Sequence, residues 1–98
     1  MKPKPRYTHV QGACVIAAFR LIGFPRVTLI GSLGKGLTSN HDIDILLPKS
    51  RKTKKLIEKL TTLLKPKKVS HTDWGGLYFH DCIFGDVDVF FTTKDFDY

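Results

Sequence analysis

Apolar and polar positions along this chain follow two periods, and the switches between them mark out short elements. Between Val10 and Ile22 the apolar residues form two helical stripes. Val10, Ala13, Cys14, Ala17 and Leu21 make one, and Val15, Ile16, Phe19 and Ile22 the other, so a helix over 9–22 is apolar nearly all round. Thr8 followed by Gln11 gives it a capping box, and Gly23 with Phe24-Pro25 ends it. A helix of this kind is either enclosed in a core or covered by a partner, which makes 9–22 the candidate surface for a protein partner or a homodimer. Residues 27–30 form a short apolar strand running into a glycine-rich turn, with a brief helical turn over 32–37. Residues 42–47 form the next strand, stopped by Pro48. Over 50–64 the period returns to helical, with Leu56, Ile57, Leu60, Leu63 and Leu64 inward and Lys54, Lys55 and Lys59 outward. The remainder reads as strands over 67–72, 76–83 and 86–92, with Gly85 turning the chain between the last two.

The order α-β-α-β-α-β-β-β implies an α/β (α+β) architecture: a mixed sheet with helices packed mainly on one face. At 98 residues there is room for one core. A basic, extended arm over 1–8 (Met-Lys-Pro-Lys-Pro-Arg-Tyr and Thr8) precedes a single domain over 9–98. No apolar stretch has the length of a membrane span, and the Lys/Pro-rich start lacks the apolar centre of a signal peptide. The expectation is therefore an intracellular, cytoplasmic protein without membrane contact. Cys14 and Cys82 sit in apolar segments without Cys-x-x-Cys spacing, which points to buried free thiols rather than a disulfide or zinc site.

Charge adds a partner class. Sixteen Lys+Arg against nine Asp+Glu leave a formal net charge of +7, which favours polyanions such as nucleic acid or nucleotides. The excess concentrates over 49–68, where Lys49, Arg51, Lys52, Lys54, Lys55, Lys59, Lys65, Lys67 and Lys68 face a single acid, Glu58. This basic helix fits nucleic acid, although a merely solvated basic face has the same pattern.

Candidate chemistry lies in two neighbouring stretches. Gly31-Ser32-Leu33-Gly34-Lys35-Gly36 stands where a strand gives way to a helical turn. Backbone N–H groups and the Ser32 hydroxyl can cradle phosphate oxygens there, and Lys35 adds a point charge. It is not a P-loop, since Gly-x-x-x-x-Gly-Lys-Ser/Thr is absent. Asp42-Ile43-Asp44 opens the following strand, where period-two alternation puts both carboxylates on one face and Ile43 and Ile45 on the other. Paired carboxylates repel unless a cation lies between them, and hard divalent ions such as Mg²⁺ prefer carboxylate oxygens together with phosphates. A third carboxylate would complete a two-metal site. Asp88, flanked by Val87 and Val89 inside a strand, is the better fixed candidate, with Asp86 beside Gly85 as runner-up.

The combination of Gly-Ser, a glycine four residues on, Asp-x-Asp at a strand start and a lone Asp on a later strand resembles the nucleotidyltransferase superfamily typified by DNA polymerase beta. In size the chain is similar to its minimal, stand-alone nucleotidyltransferases, and the likeness covers residues 10–92. The resemblance implies a metal-dependent enzyme moving a nucleoside monophosphate from an NTP, such as ATP, to an acceptor hydroxyl with release of pyrophosphate. It implies two Mg²⁺ ions (Mn²⁺ as a substitute) on Asp42 and Asp44, with Asp88 on the ion nearer the acceptor. Gly31, Ser32, Lys35 and Gly36 would form the nucleotide-binding turn, Lys35 standing where the family often has Arg. The acceptor it implies is a hydroxyl on a protein partner, as in toxin–antitoxin pairs; the basic helix makes a nucleic-acid 3′ end the competing choice. Template- or base-holding domains of larger relatives do not fit in this length, so a second subunit docked on helix 9–22 would complete a base pocket. The alternative is a catalytically silent nucleic-acid- or toxin-binding module, antitoxin-like, on the same fold.

Other residues are set aside. His9, His41, His71 and His80 lack metal-ligand spacing, with His41 a loop residue next to Asp42. Trp74-Gly75-Gly76-Leu77-Tyr78-Phe79 could stack on a base but fits a hairpin and sheet packing better. Tyr7 and Tyr98 carry no chemical signal beyond their nearness to the ends.

Overall fold

Local capping chemistry sets where each helix begins. The computed structural model describes residues 7–37, 42–48, 53–73 and 75–91. Helix α1 spans His9–Leu21, and at its start the Gln11 side chain accepts the Thr8 N–H at 2.7 Å. Gly23, at φ 108°, closes it by donating its N–H to the Arg20 carbonyl. Helix α3 spans Lys54–Leu64 because the Thr53 hydroxyl accepts the Leu56 N–H at 3.2 Å, fixing Thr53 as the cap. Of the expected helix over 50–64, the first residues lie outside the described ones. The chain leaves α3 through Lys65 in the left-handed region (φ 51°), just before Pro66.

Five strands form one mixed sheet: β1 (Thr28–Leu29), β2 (Ile43–Leu47), β3 (Lys68–His71), β4 (Leu77–Cys82) and β5 (Gly85–Phe91). Their order is β1-β2-β5-β4-β3, with β2 and β5 parallel and every other pair antiparallel. The architecture is therefore α+β, as the element order implied. β1 is shorter than the 27–30 expected, yet Ile30 still donates its N–H to the Asp44 carbonyl at 3.0 Å. Ile30 then caps the one-turn helix α2, Gly31–Gly34, which Lys35 and the left-handed Gly36 (φ 79°) end sooner than 37.

Strand alternation explains the two faces of the sheet. Ile43, Ile45, Leu47, Leu77, Phe79, Val87 and Val89 are buried in one cluster with Val15 and Phe19 of α1 and Leu60 and Leu64 of α3. The two long helices thus cover one face. Opposite it stand Asp44, Leu46, Asp86, Asp88, Phe90, Tyr78, His80, Lys68 and Ser70, by the same period-two rule. Of the two stripes on α1, the one with Val15 and Phe19 is buried, while Val10 is 69% and Leu21 87% exposed. Ala13, Cys14 and Ala17 are exposed beside them. Ala13 and Ala17 border a groove of about 430 Å³ between α1, β1 and α2.

Two expectations change. Cys14 is an exposed thiol, since it falls on the open stripe of α1, and Cys82 is half-buried; both are free. Burial and the nearby Asp86 charge push the Cys82 thiol up to about 12, which keeps it protonated. Tyr7, placed in the basic arm on sequence grounds, is only 3% exposed and belongs to the core cluster. Its hydroxyl accepts the Asp86 N–H at 2.8 Å, and its ring fills the space that a Cβ on Gly85 would need.

Gly85 (φ 106°) is consequently barred from carrying a side chain twice over, by its backbone and by Tyr7. Gly36 (φ 79°) has open space where its Cβ would be, leaving only backbone strain. Urea denaturation should show Gly85→Ala destabilised by more than about 2 kcal/mol and Gly36→Ala by about 1–2 kcal/mol. Equal losses would contradict the Tyr7 contact.

Candidate metal centre

Register brings the acids together. In the parallel pairing of β2 with β5, Asp44 lies opposite Asp88, so adjacent strands about 4.8 Å apart hold them on the same face. Asp42, one pleat before Asp44, completes the group. One carboxylate oxygen from each of Asp42, Asp44 and Asp88 lies within 4.8 Å of the others. This cluster can hold a metal ion, and its all-oxygen donor set suits a hard divalent cation.

Asp88 is 5% exposed, and its Oδ1 is buried without a hydrogen-bond partner among the described residues. A buried carboxylate oxygen without a donor is expensive to maintain. The residues therefore fit a cation, which would satisfy that oxygen and offset the repulsion around it. Asp86, the runner-up, faces the same side but is engaged elsewhere: its Oδ1 accepts the N–H of Asp81, a residue at φ 51° in the irregular end of β4.

The electrostatics record the same crowding. Burial comes first for Asp44, followed by a hydrogen bond shared with Asp42 and the charges of Asp42 and Asp88. Together they push its carboxyl from 3.8 up to about 7. Burial, then the Asp42 charge, pushes Asp88 up to about 6. The Tyr78 phenol, opposite Asp88 on β4, is raised above its usual range by burial and by Asp42, Asp86 and Asp88.

The glycine-rich turn meets this group at one point. Gly31, at φ 65°, lies so close that a Cβ there would sit 2.5 Å from Asp44 Oδ2. Only glycine lets the backbone approach the carboxylate this closely. Gly34 serves a different contact, since its Cβ would come 2.6 Å from the Leu29 carbonyl oxygen; it lets α2 pack on β1 rather than clearing space for a ligand. Ser32 and Lys35 are both exposed on α2 and its cap, and Gly36 is exposed just beyond.

No family model, curated protein or solved structure matches this chain. What the site is must therefore be read from its own residues.

His41 and Trp74 lie outside the described residues, as do 49–52 of the basic run. The described part of that run, Lys54, Lys55, Lys59, Lys65, Lys67 and Lys68, is exposed throughout. Lys59 also lies over the Phe24 ring, its Nζ 5.2 Å from the centroid. Among the described residues no helix is long and apolar enough to cross a membrane. Sequence reasoning missed Ser70 and undervalued His80, whose Nε2 is 2.9 Å from Ser70 Oγ. Alternation along 67–72 and 76–83 puts Ser70 and His80 on the face that holds Asp88.

The raised carboxyls make stability depend on pH in a definite direction. Asp44 and Asp88 keep protons in the folded chain at pH values where the unfolded chain has released them. Their favourable contribution is complete below about pH 4 and is lost as pH rises through 6 to 7. Without divalent metal, Asp44→Asn should gain stability over the parent by about 1–2 kcal/mol between pH 4.5 and 7.5, allowing for solvent screening. Thermal melts of the two proteins across that range check this, and a constant difference would refute the clustered charge. Gly31→Ala should weaken Mn²⁺ binding in a calorimetric titration by displacing Asp44.

Proposed function

We propose that this chain is a divalent-metal-dependent nucleotidyltransferase, with Mg²⁺ as its metal and an NTP as donor. The observation that supports it most is the convergence of Asp42, Asp44 and Asp88 around a buried, unpartnered Asp88 Oδ1, directly beside the Gly31 turn. Asp44 lies on β2 with Asp42 just before it, and Asp88 lies on the parallel neighbour β5, in keeping with the resemblance to the polymerase beta-like superfamily.

In this reading the acceptor hydroxyl oxygen attacks the α-phosphorus of the NTP. A new P–O bond forms, the α–β bridging P–O bond breaks, and pyrophosphate leaves. Bound divalent ions supply charge neutralisation of the triphosphate and acidification of the attacking hydroxyl. The chain's own residues do the rest. Asp42 and Asp44 hold the donor side and Asp88 the acceptor side. The Asp88 carboxylate, beside the acceptor, receives the hydroxyl proton. Ser32 and the backbone of Gly31 and Gly36 border the phosphates, and Lys35 offers them a single charge without the paired contacts an arginine would make. Because these groups are fixed by strand register, their contribution is positioning and electrostatics.

The small domain leaves the base of the nucleotide little enclosure. The exposed stripe of α1, from Val10 to Leu21, and the adjoining groove offer a docking surface for a second polypeptide.

With α-labelled ATP, GTP, CTP or UTP and Mg²⁺, the protein should transfer label to an acceptor. Asp42→Asn and Asp44→Asn should each lower transfer by at least about a thousandfold, the range for removing a principal electrostatic group. Circular dichroism should show both variants folded. Undiminished transfer in either would overturn the assignment. A chain that binds nucleic acid equally well with and without Asp44, and never turns over NTP, would instead be the silent binding module.

A further inference from the structure

The open face of the sheet continues past the acids in an ordered way. Reading across it in register, Asp44 on β2 lies opposite Asp88 on β5, Asp88 opposite Tyr78 on β4, and Tyr78 opposite Ser70 on β3. One pleat along, His80 lies opposite Lys68. The Tyr78 and His80 rings form a pair with centroids 4.6 Å apart, tilted by 46°. The Ser70 hydroxyl, 2.9 Å from His80 Nε2, fixes the imidazole from the far side. Both long helices pack against the other face, so no described helix covers this row. This pair of half-buried rings is held by a hydroxyl and bordered by the exposed Lys68.

Resting on the nucleotidyltransferase reading above, we infer that the acceptor is the 3′ end of a single-stranded nucleic acid. Its terminal base seats on Tyr78 and His80, and its backbone follows Lys68 and the exposed Lys65 and Lys67 at the edge of β3. Three features favour this over a protein side chain. Flat rings at adjacent positions on a sheet offer stacking, which any base accepts and a serine or tyrosine hydroxyl on a folded partner does not need. Tyr78 stands directly across from Asp88, where opposed side chains are about 5 Å apart. A base stacked on Tyr78 would therefore lie beside that carboxylate. The basic run converges on this edge too: its last members, Lys67 and Lys68, lead into β3, and the Lys67 N–H is held by the His80 carbonyl at 2.9 Å.

In this arrangement Tyr78 and His80 are acceptor-binding residues and Ser70 is a positioning residue for His80. The platform is indifferent to sequence, since stacking reads no base edge. It would serve addition to many ends rather than to one sequence.

The test is fluorescence anisotropy with short fluorescein-labelled single strands, RNA and DNA in separate arms, in Mg²⁺ buffer. Tyr78→Ala should weaken binding by about 5- to 100-fold, and Tyr78→Phe should restore most of it. Lys68→Ala, on an exposed position that leaves the fold alone, should weaken binding and lower the salt dependence by about one ion. Mn²⁺ binding, measured by calorimetry, should be unchanged in all three. In transfer assays linear strands with a free 3′ hydroxyl should take label, and strands ending in 3′-phosphate should not. Mn²⁺ binding with no oligonucleotide binding, or label passing only to protein, would overturn this inference while leaving nucleotidyl transfer intact. Binding that depends on Tyr78 without any transfer would sustain the surface and remove the enzymatic reading instead. A closed circular strand bound as tightly as a linear one would rule out recognition of an end.

Discussion

Everything at the candidate site depends on the parallel pairing of β2 with β5. That register sets Ile43 against Val87, Ile45 against Val89 and, between them, Asp44 against Asp88. The two isoleucine–valine pairs and the helices behind them bury apolar surface worth several kcal/mol, and that burial holds two carboxylates side by side against their repulsion. A slip of one residue would turn the acids into the core and the isoleucines to water. The fold thus guarantees the charge cluster, and the ionised cluster opposes the fold. A cation held there would link occupancy to stability.

Much of the architecture was legible because short-range chemistry decides it. The period-two acids at 42 and 44, the apolar faces of the helices and the capping residue Thr8 all act within a few positions of themselves. Less legible were features that depend on distant partners. β1 could be placed, but its two-residue length follows from how α2 tucks against it at Gly34 and Leu29. The cap of α3 at Thr53 lies inside a run of lysines whose charge pattern gave no boundary. Cys14 looked buried because α1 is apolar all round, and composition could not say which stripe would face the sheet.

The site was legible in its identities more than in its relations. The choice of Asp88 over Asp86 rested on strand interior against turn. The structure adds a reason invisible in sequence: the Asp86 carboxylate is committed to the Asp81 N–H, while Asp88 Oδ1 has no described donor. Likewise the three glycines of the turn looked equivalent. They divide into one facing a carboxylate, one facing a backbone carbonyl and one facing open space. The row from Asp44 through Asp88 and Tyr78 to Ser70 joins three strand pairings. No single stretch of sequence contains it.

Tyr7 carries a consequence for how the molecule reaches its final form. Its hydroxyl and the Asp86 N–H are 79 residues apart along the chain, and it seals the bend that launches β5. Closing so long a span is slow in entropic terms, as is joining β2 to β5 across the intervening strands. A nascent chain on the ribosome can therefore form α1 and the β1–β2 ladder early. Its acids cannot meet until residues near 88 have emerged. Until β5 has emerged, the earlier strands are free of the repulsion that the finished sheet contains.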